Sequence, residues 1–280
     1  MREEGTRRSG EHPVMGRNTS AEDNLGDWRI DSVTALAQNY GGAPAGSPVR
    51  LMSVAKHKKH KYLSFVTPSP CALCLNTAIN AAALAEAIRP KLALTPSLTH
   101  DGQRGFQVND ASLADLYYFF EQSIVCVTLS FQAIEIFANA IIGRRAAQHI
   151  QVKRKGGVQK TLTPGEAERE LSTEEKLGQI LPTILGVPTP RGIRVWQHFK
   201  HLKEARDATV HLKSRDIYTG SRVDRESLFF YFLNHDAREH PGAALKVISH
   251  FFPLHQPRWL KHAEALAHLD SGRGKAASAL

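Results

Sequence analysis

From residue 113 to 141 the chain repeats apolar positions in alternating steps of four and three: Leu113, Tyr117, Phe120, Ile124, Val127, Phe131, Ile134, Ala138 and Ile141. This period is helical. About eight turns with one apolar seam predict a long helix at the heart of a bundle. Asp110 or Ser112 is placed to cap it, with Asp115 completing a capping box after Ser112. Ahead of it, Cys71 to Arg89 reads as an alanine-rich helix stopped by Pro90. Beyond it, Thr163-Pro164 opens a short acidic helix. Ser172, with Glu175 three residues on, forms a second capping box and opens a helix reaching about Leu185. Val195 to Lys213 carries a stripe at Val195, Phe199, Leu202, Thr209 and Val210. Further helices are expected over Arg225–His235 with Asp224 as cap, over Gly242–Phe251 opened by Pro241, and from Pro257 to about Leu269.

Period two is scarce. Ile150 to Leu162 places Gly156-Gly157 between two β-like arms, a hairpin signal. Tyr62 to Val66 reads as a short strand after a basic run, and Lys91 to Gln107 as a loop. The first 48 residues are rich in Gly, Ser, Arg, Glu and Pro, broken by a weak helical patch from Trp28 to Tyr40. The expectation is a mainly α protein, an antiparallel helical bundle with a small β-hairpin insertion. A disordered tail would cover residues 1–50 and a helical domain 51–269, with its core at 111–216 and the hairpin insertion at 150–163. A second disordered tail would cover 270–280.

Composition changes this picture in two ways. A net charge of +9 favours acidic partners, nucleic acid first, with a basic protein simply kept soluble by its charge as the other reading. Lys153, Arg154, Lys155 and Lys160 load the predicted hairpin with charge suited to an RNA backbone, or to keeping its edges from aggregating. The run Lys56–Lys61 could touch phosphates but reads first as a solvated loop. Three cysteines exclude a disulfide framework. Cys71-x2-Cys74 lacks the second pair that a zinc site needs, so it reads as two small helix residues, and no metal is expected. Gln132, Glu135 and Asn139 interrupt the most apolar stretch. We therefore read it as a buried helix, with no membrane partner and a cytoplasmic setting.

The chemistry concentrates after residue 195. Arg206 falls in the apolar stripe, so its guanidinium must cross a helix contact or open onto a cleft. Asp207 and His211 are four apart and can hydrogen-bond on one helix face. Histidine titrates where proton transfer is useful, and arginine is a permanent two-pronged donor to phosphate oxygens. Asp207 could set the imidazole tautomer. Glu135 sits at the edge of the long helix's stripe with Asn139 one turn on. It either fixes Arg206 or His211 or reaches solvent. The histidines at 198, 201, 240, 250, 255, 262 and 268 lack ligand spacing and read as surface or helix-end residues.

The run Arg206-Asp207-x3-His211 is Arg-x4-His with a polar residue after the arginine, on a predicted helix downstream of a long amphipathic one. It resembles the signature of the HEPN superfamily of all-α domains, and E-x3-N at Glu135 and Asn139 is similar to a pattern in the family's first long helix. The resemblance spans roughly Ala111 to Asp216. It implies a HEPN-like bundle that cleaves RNA without metal or cofactor in a defence, toxin–antitoxin or stress role. Arg206, His211 and Asp207 would be catalytic, Glu135 and Asn139 supporting, and the product a 2′,3′-cyclic phosphate. Arg206 and His211 lie about 140° apart on an ideal helix. The resemblance resolves this by implying a homodimer whose two motifs share one cleft. A regulatory or antitoxin partner would fit, but Leu212 and Lys213 depart from the R-x4-H-x-Y subtype, which puts nucleotidyltransferase control in doubt. Two alternatives stand beside it: a non-catalytic module binding RNA, nucleotide or protein, and a structural bundle with Arg206 and Glu135 as a buried pair.

Overall fold

The computed structural model describes residues 26–31, 33–35, 47–59, 61–98, 104–146, 148–153, 159–212 and 227–277, and the single positions 39, 42, 44, 45, 102 and 216. The fold is mainly helical, with small antiparallel strand pairs. Strands β1 (Val33–Ala35) and β2 (Pro48–Arg50) pair, as do β3 (Met52–His57) and β4 (Lys61–Val66). Then come α1 (Pro70–Ile88), the ribbon β5 (Leu94–Leu98) and β6 (Arg104–Val108), and α2 (Leu113–Arg145). Ribbon β7 (Ile150–Lys153) and β8 (Gln159–Leu162) precede α3 (Pro164–Glu170), α4 (Thr173–Glu175) and α5 (Leu181–Leu185), the last two joined by a π-turn. The chain closes with α6 (Arg194–Val210), α7 (Leu228–Asn234), α8 (Glu239–Ser249) and α9 (Arg258–Ala277).

Helix α2 is the axis. Its apolar seam buries Phe119, Cys126, Val127, Phe131, Ile134, Phe137, Ala138 and Ile142. Helix α1 lies along it, and α6 and α8 pack on its other sides. The α1 interface is built from small side chains. Ala72, Ala78, Ala81, Ala82 and Ala85 are all buried, so the two backbones approach closely, and Cys71 Sγ donates to the Ala133 carbonyl at 3.3 Å. Ser69 caps α1 by accepting from the Ala72 N–H, and Pro70 fills the first position, where no amide partner is needed. By length and apolar composition α1 and α2 could each cross a membrane, but half of each such window is buried inside the fold.

Local signals placed several ends accurately. Thr163 with Glu166 and Ser172 with Glu175 form full capping boxes. The start of α2 differs. Asn109 accepts from the Ala111 N–H and a single 3-10 turn leads in, while Ser112 makes no cap and its hydroxyl accepts from Ala93 N–H at 3.1 Å. Ser227 caps α7, and α8 begins at Glu239, two residues before Pro241. The expected cap Asp224 lies outside the described residues.

The strands bring the largest corrections. Met52–His57 pairs with Lys61–Val66, which contains the strand expected at Tyr62–Val66, turning through Lys58 at φ 60°. A lysine in the left-handed region hid this turn, because glycine is the residue that usually announces it. The expected loop Lys91–Gln107 holds ribbon β5–β6, where Pro96 pairs with Phe106. Both strands of a two-stranded ribbon are edges, so a proline is tolerated. Within the expected helical patch Trp28–Tyr40 the described residues are not helical: Ile30 bridges to Pro68 and Val33–Ala35 is a strand. Part of the tract expected to be disordered thus carries tertiary contacts. Trp28 stacks on His262 at 6.2 Å, Asp31 pairs with Arg144, and the Gly26 carbonyl accepts from Arg258. Burial of the Trp28 ring and Asp31's cationic partner hold this segment, and neither shows as periodicity.

Candidate functional site

Helix α6 buries Phe199, Leu202 and Ala205. Phe199 lies 6.1 Å from Phe131 of α2 and 5.0 Å from Trp196. Arg206 continues this side. Its guanidinium carbon lies 4.1 Å over the Phe131 ring, a cation–π contact. Nη1 reaches Asp207 Oδ1 at 3.1 Å, and the buried Nε has no hydrogen-bond partner. The side chain keeps 25% of its exposure.

Asp207 and His211 do not form the expected side-chain pair. Asp207 Oδ2 accepts from Lys203 Nζ at 2.8 Å, one turn back, and the other oxygen faces Arg206. His211 is the C-cap, at φ −117° and ψ 65°, with its amide donating to the Asp207 main-chain carbonyl at 2.9 Å. Leaving helical dihedrals there takes its side chain off the face that Asp207 shares, and the ring is exposed.

Glu135 and Asn139 have another partner. Thr173 Oγ1 donates to Glu135 Oε1 at 2.8 Å, and Lys176 Nζ donates to Asn139 Oδ1 at 2.8 Å and to the Glu168 carbonyl at 2.7 Å. Among the described residues no ion pair joins Glu135 to Arg206 or His211. The Ser172 capping box starts α4 across α2 and aims Lys176, only 6% exposed, at this carboxylate and amide. Burial pulls the Lys176 ammonium below its ordinary pKa, and Glu135 opposes that. The signal for Lys176 was in the sequence: a lysine just past a capping box at the mouth of an apolar helix.

The basic hairpin is docked rather than projecting. Ile150, Val152 and Leu162 are buried, so one face of β7–β8 is core. Lys153 points outward, Lys160 pairs with Glu170 at 2.5 Å, and Arg154 and Lys155 lie outside the described residues.

The structure also assembles a site that spacing could not show. A cavity of about 790 Å³ opens where α6 ends against α7 and α8. Five histidines line it: His198, His201 and His211 from α6 and its cap, His235 from α7's end, and His240 from α8. Asp207 is on its wall and Arg206 is not. His240, expected at the surface, is 4% exposed, and burial holds its pKa at about 4. Its imidazole is therefore neutral at physiological pH. Burial also raises the Tyr231 phenol to about 12 and lowers His198. Among the described residues no three His, Cys, Asp or Glu side chains converge on a metal-sized site. The arrangement sets the exposed His211 imidazole on the wall of a cavity lined by polar side chains. No family model, curated protein or solved structure matches the chain.

Proposed function

We propose that this protein is a HEPN-like ribonuclease that cuts RNA without metal. The observation behind this reading is the end of α6, where His211 and Asp207 stand on the wall of a large cavity and Arg206 follows with an uncommitted Nε. In the reaction an RNA 2′-oxygen attacks the adjacent phosphorus and the bond to the 5′-oxygen breaks. A base removes the 2′-OH proton and an acid protonates the leaving oxygen, giving a 2′,3′-cyclic phosphate and a 5′-OH. The exposed imidazole of His211 suits proton transfer. Arg206 neutralises charge on the phosphorane after lifting from Phe131. The two side chains diverge within one chain, so the reading includes a homodimer that brings Arg206 of one copy toward His211 of the other. The net charge of +9 supplies general attraction to RNA, and the setting proposed is the cytoplasm.

A second reading has its own observation. Arg206 already rests on Phe131 and Asp207 is held by Lys203, so the same cluster could bind RNA without cutting it, or simply close the bundle. The separating experiment incubates purified protein with mixed tRNA and mRNA in excess EDTA, beside Arg206→Met and His211→Ala. The nuclease reading expects cyclic-phosphate ends from wild type alone, with both variants folded. A gel shift without cleavage selects the binding module. Neither cleavage nor a shift, with Arg206→Met unfolding more easily, selects the structural role.

A further inference from the structure

The cavity beside His211 has features that RNA cleavage itself does not require. Tyr231 and His235 stack with ring centroids 4.1 Å apart and planes 22° from parallel. The His235 ring is pinned by Nδ1 against the Tyr231 carbonyl at 2.9 Å. Tyr231 covers one face of that imidazole, and His235 is exposed, so its other face is a fixed flat surface at the cavity. Deeper in, His240 sits 5.8 Å from Tyr231. It is almost fully buried, and among the described residues neither ring nitrogen has a hydrogen-bond partner. A neutral imidazole offers one donor and one acceptor, and the His240 ring lines the cavity, where a ligand can meet them. Two exposed carboxylates on the same wall, Glu204 and Glu239, form no ion pair among the described residues.

These features select a ligand class. An aliphatic guest would leave His240 unsatisfied. A phosphate would meet the wall carboxylates as like charges. A planar heterocycle with donors and acceptors on its edge and an exocyclic amine meets all of them: it stacks on an aromatic face, exchanges hydrogen bonds with an imidazole and donates to a carboxylate. The cavity volume of about 790 Å³ lies within the range of preformed small-ligand sites. We propose that this cavity is a nucleobase subsite, in which an amine-bearing base stacks on the outer face of His235 and turns its edge to His240. The base belongs to an unpaired residue of RNA or to a free nucleotide. The inference builds on the RNA reading above, since a base held here would set its sugar and phosphate near His211.

The test uses the full chain and calorimetric titration with AMP, GMP, CMP and UMP, with ribose 5-phosphate as the ligand lacking a base. Short single-stranded RNA is compared with the same strand made abasic. The expected result is binding of at least one amine-bearing nucleotide or of base-containing RNA, little binding of the baseless ligands, and a loss of about tenfold or more in His235→Ala. His235 is exposed, so this variant should fold, which circular dichroism checks. Tight binding of free nucleotides identifies those as the source. A His235-dependent effect confined to RNA identifies an unpaired base. The subsite is overturned if ribose 5-phosphate binds as well as nucleotides, if folded His235→Ala binds like wild type, or if no base-containing ligand binds at millimolar concentration. Cleavage in EDTA, measured on the same preparations, keeps the two readings apart. Cleavage without any His235-dependent base binding sinks the subsite alone, and base binding without cleavage sinks the nuclease alone.

Discussion

His240 shows what one buried side chain does to the pH response of this fold. Its pKa of about 4 in the folded protein follows first from burial, then from nearby His235, with Asp236 opposing. The unfolded chain titrates near 6.5. Between about pH 4 and pH 6.5 the unfolded state therefore binds more protons, so stability falls as the pH drops through that window. A shift of this size is worth up to about 3 kcal/mol. Urea unfolding from pH 7 to pH 4 should show wild type losing about that much more than His240→Asn, which cannot titrate. Parallel curves would mean that His240 takes up its proton freely in the folded state. Arg206 makes a related point: an inward arginine need not take its carboxylate from another helix, because the Phe131 face and the adjacent Asp207 occupy its head group.

The helix ends of this protein are set by short-range chemistry. The Ser172 hydroxyl accepts from the Glu175 N–H at 3.2 Å while Glu175 Oε2 accepts from the Ser172 N–H at 2.8 Å. This box starts the helix that carries Lys176 to Asn139 and the Glu168 carbonyl. Ser172→Ala should cost about 1 kcal/mol in thermal unfolding, the usual effect of losing an N-cap. A cost several times larger would show that the cap also holds the buried polar cluster against α2. Such caps span three residues, so this one could be read in the sequence, as could the paired strands β7 and β8 and the helical period of α2. The partner strand β3 and ribbon β5–β6 could not, because a lysine occupies one turn and a proline sits inside one strand.

Across the whole molecule, the helical body and one face of β7–β8 are covered, and ribbon β5–β6 is not. One face of β5–β6 combines Leu94, Pro96, Leu98, Phe106 and Val108, with Leu98 68% and Phe106 71% exposed. An apolar ribbon open to water favours self-association. The double change Leu98→Ser with Phe106→Ser should lower association in light scattering while moving the urea stability by less than about 0.5 kcal/mol. A larger stability loss would mean that these side chains pack on the body of the fold. The basic charge acts at this scale too, giving attraction to polyanions that salt weakens.

The sequence by itself determined what depends on neighbours along the chain. The helical period of the long helix, the Ser172–Glu175 capping box and the paired strands β7 and β8 each follow from interactions within a few residues and appear where the pattern placed them, whereas Ser112 makes no cap and Tyr117 and Ile124 of the expected seam are exposed. Only the tertiary structure decided which polar groups meet. Glu135 and Asn139 share a helix face that local reasoning could aim at Arg206, but packing of the Ser172 helix delivered Lys176 and Thr173 there instead. Asp207 and His211 have helical spacing, but the helix ends at the histidine and turns it away. The five cavity histidines come from three elements and have no spacing in common. Buried polar groups take partners only once the core has chosen which elements touch, and that choice depends on contacts far apart in sequence.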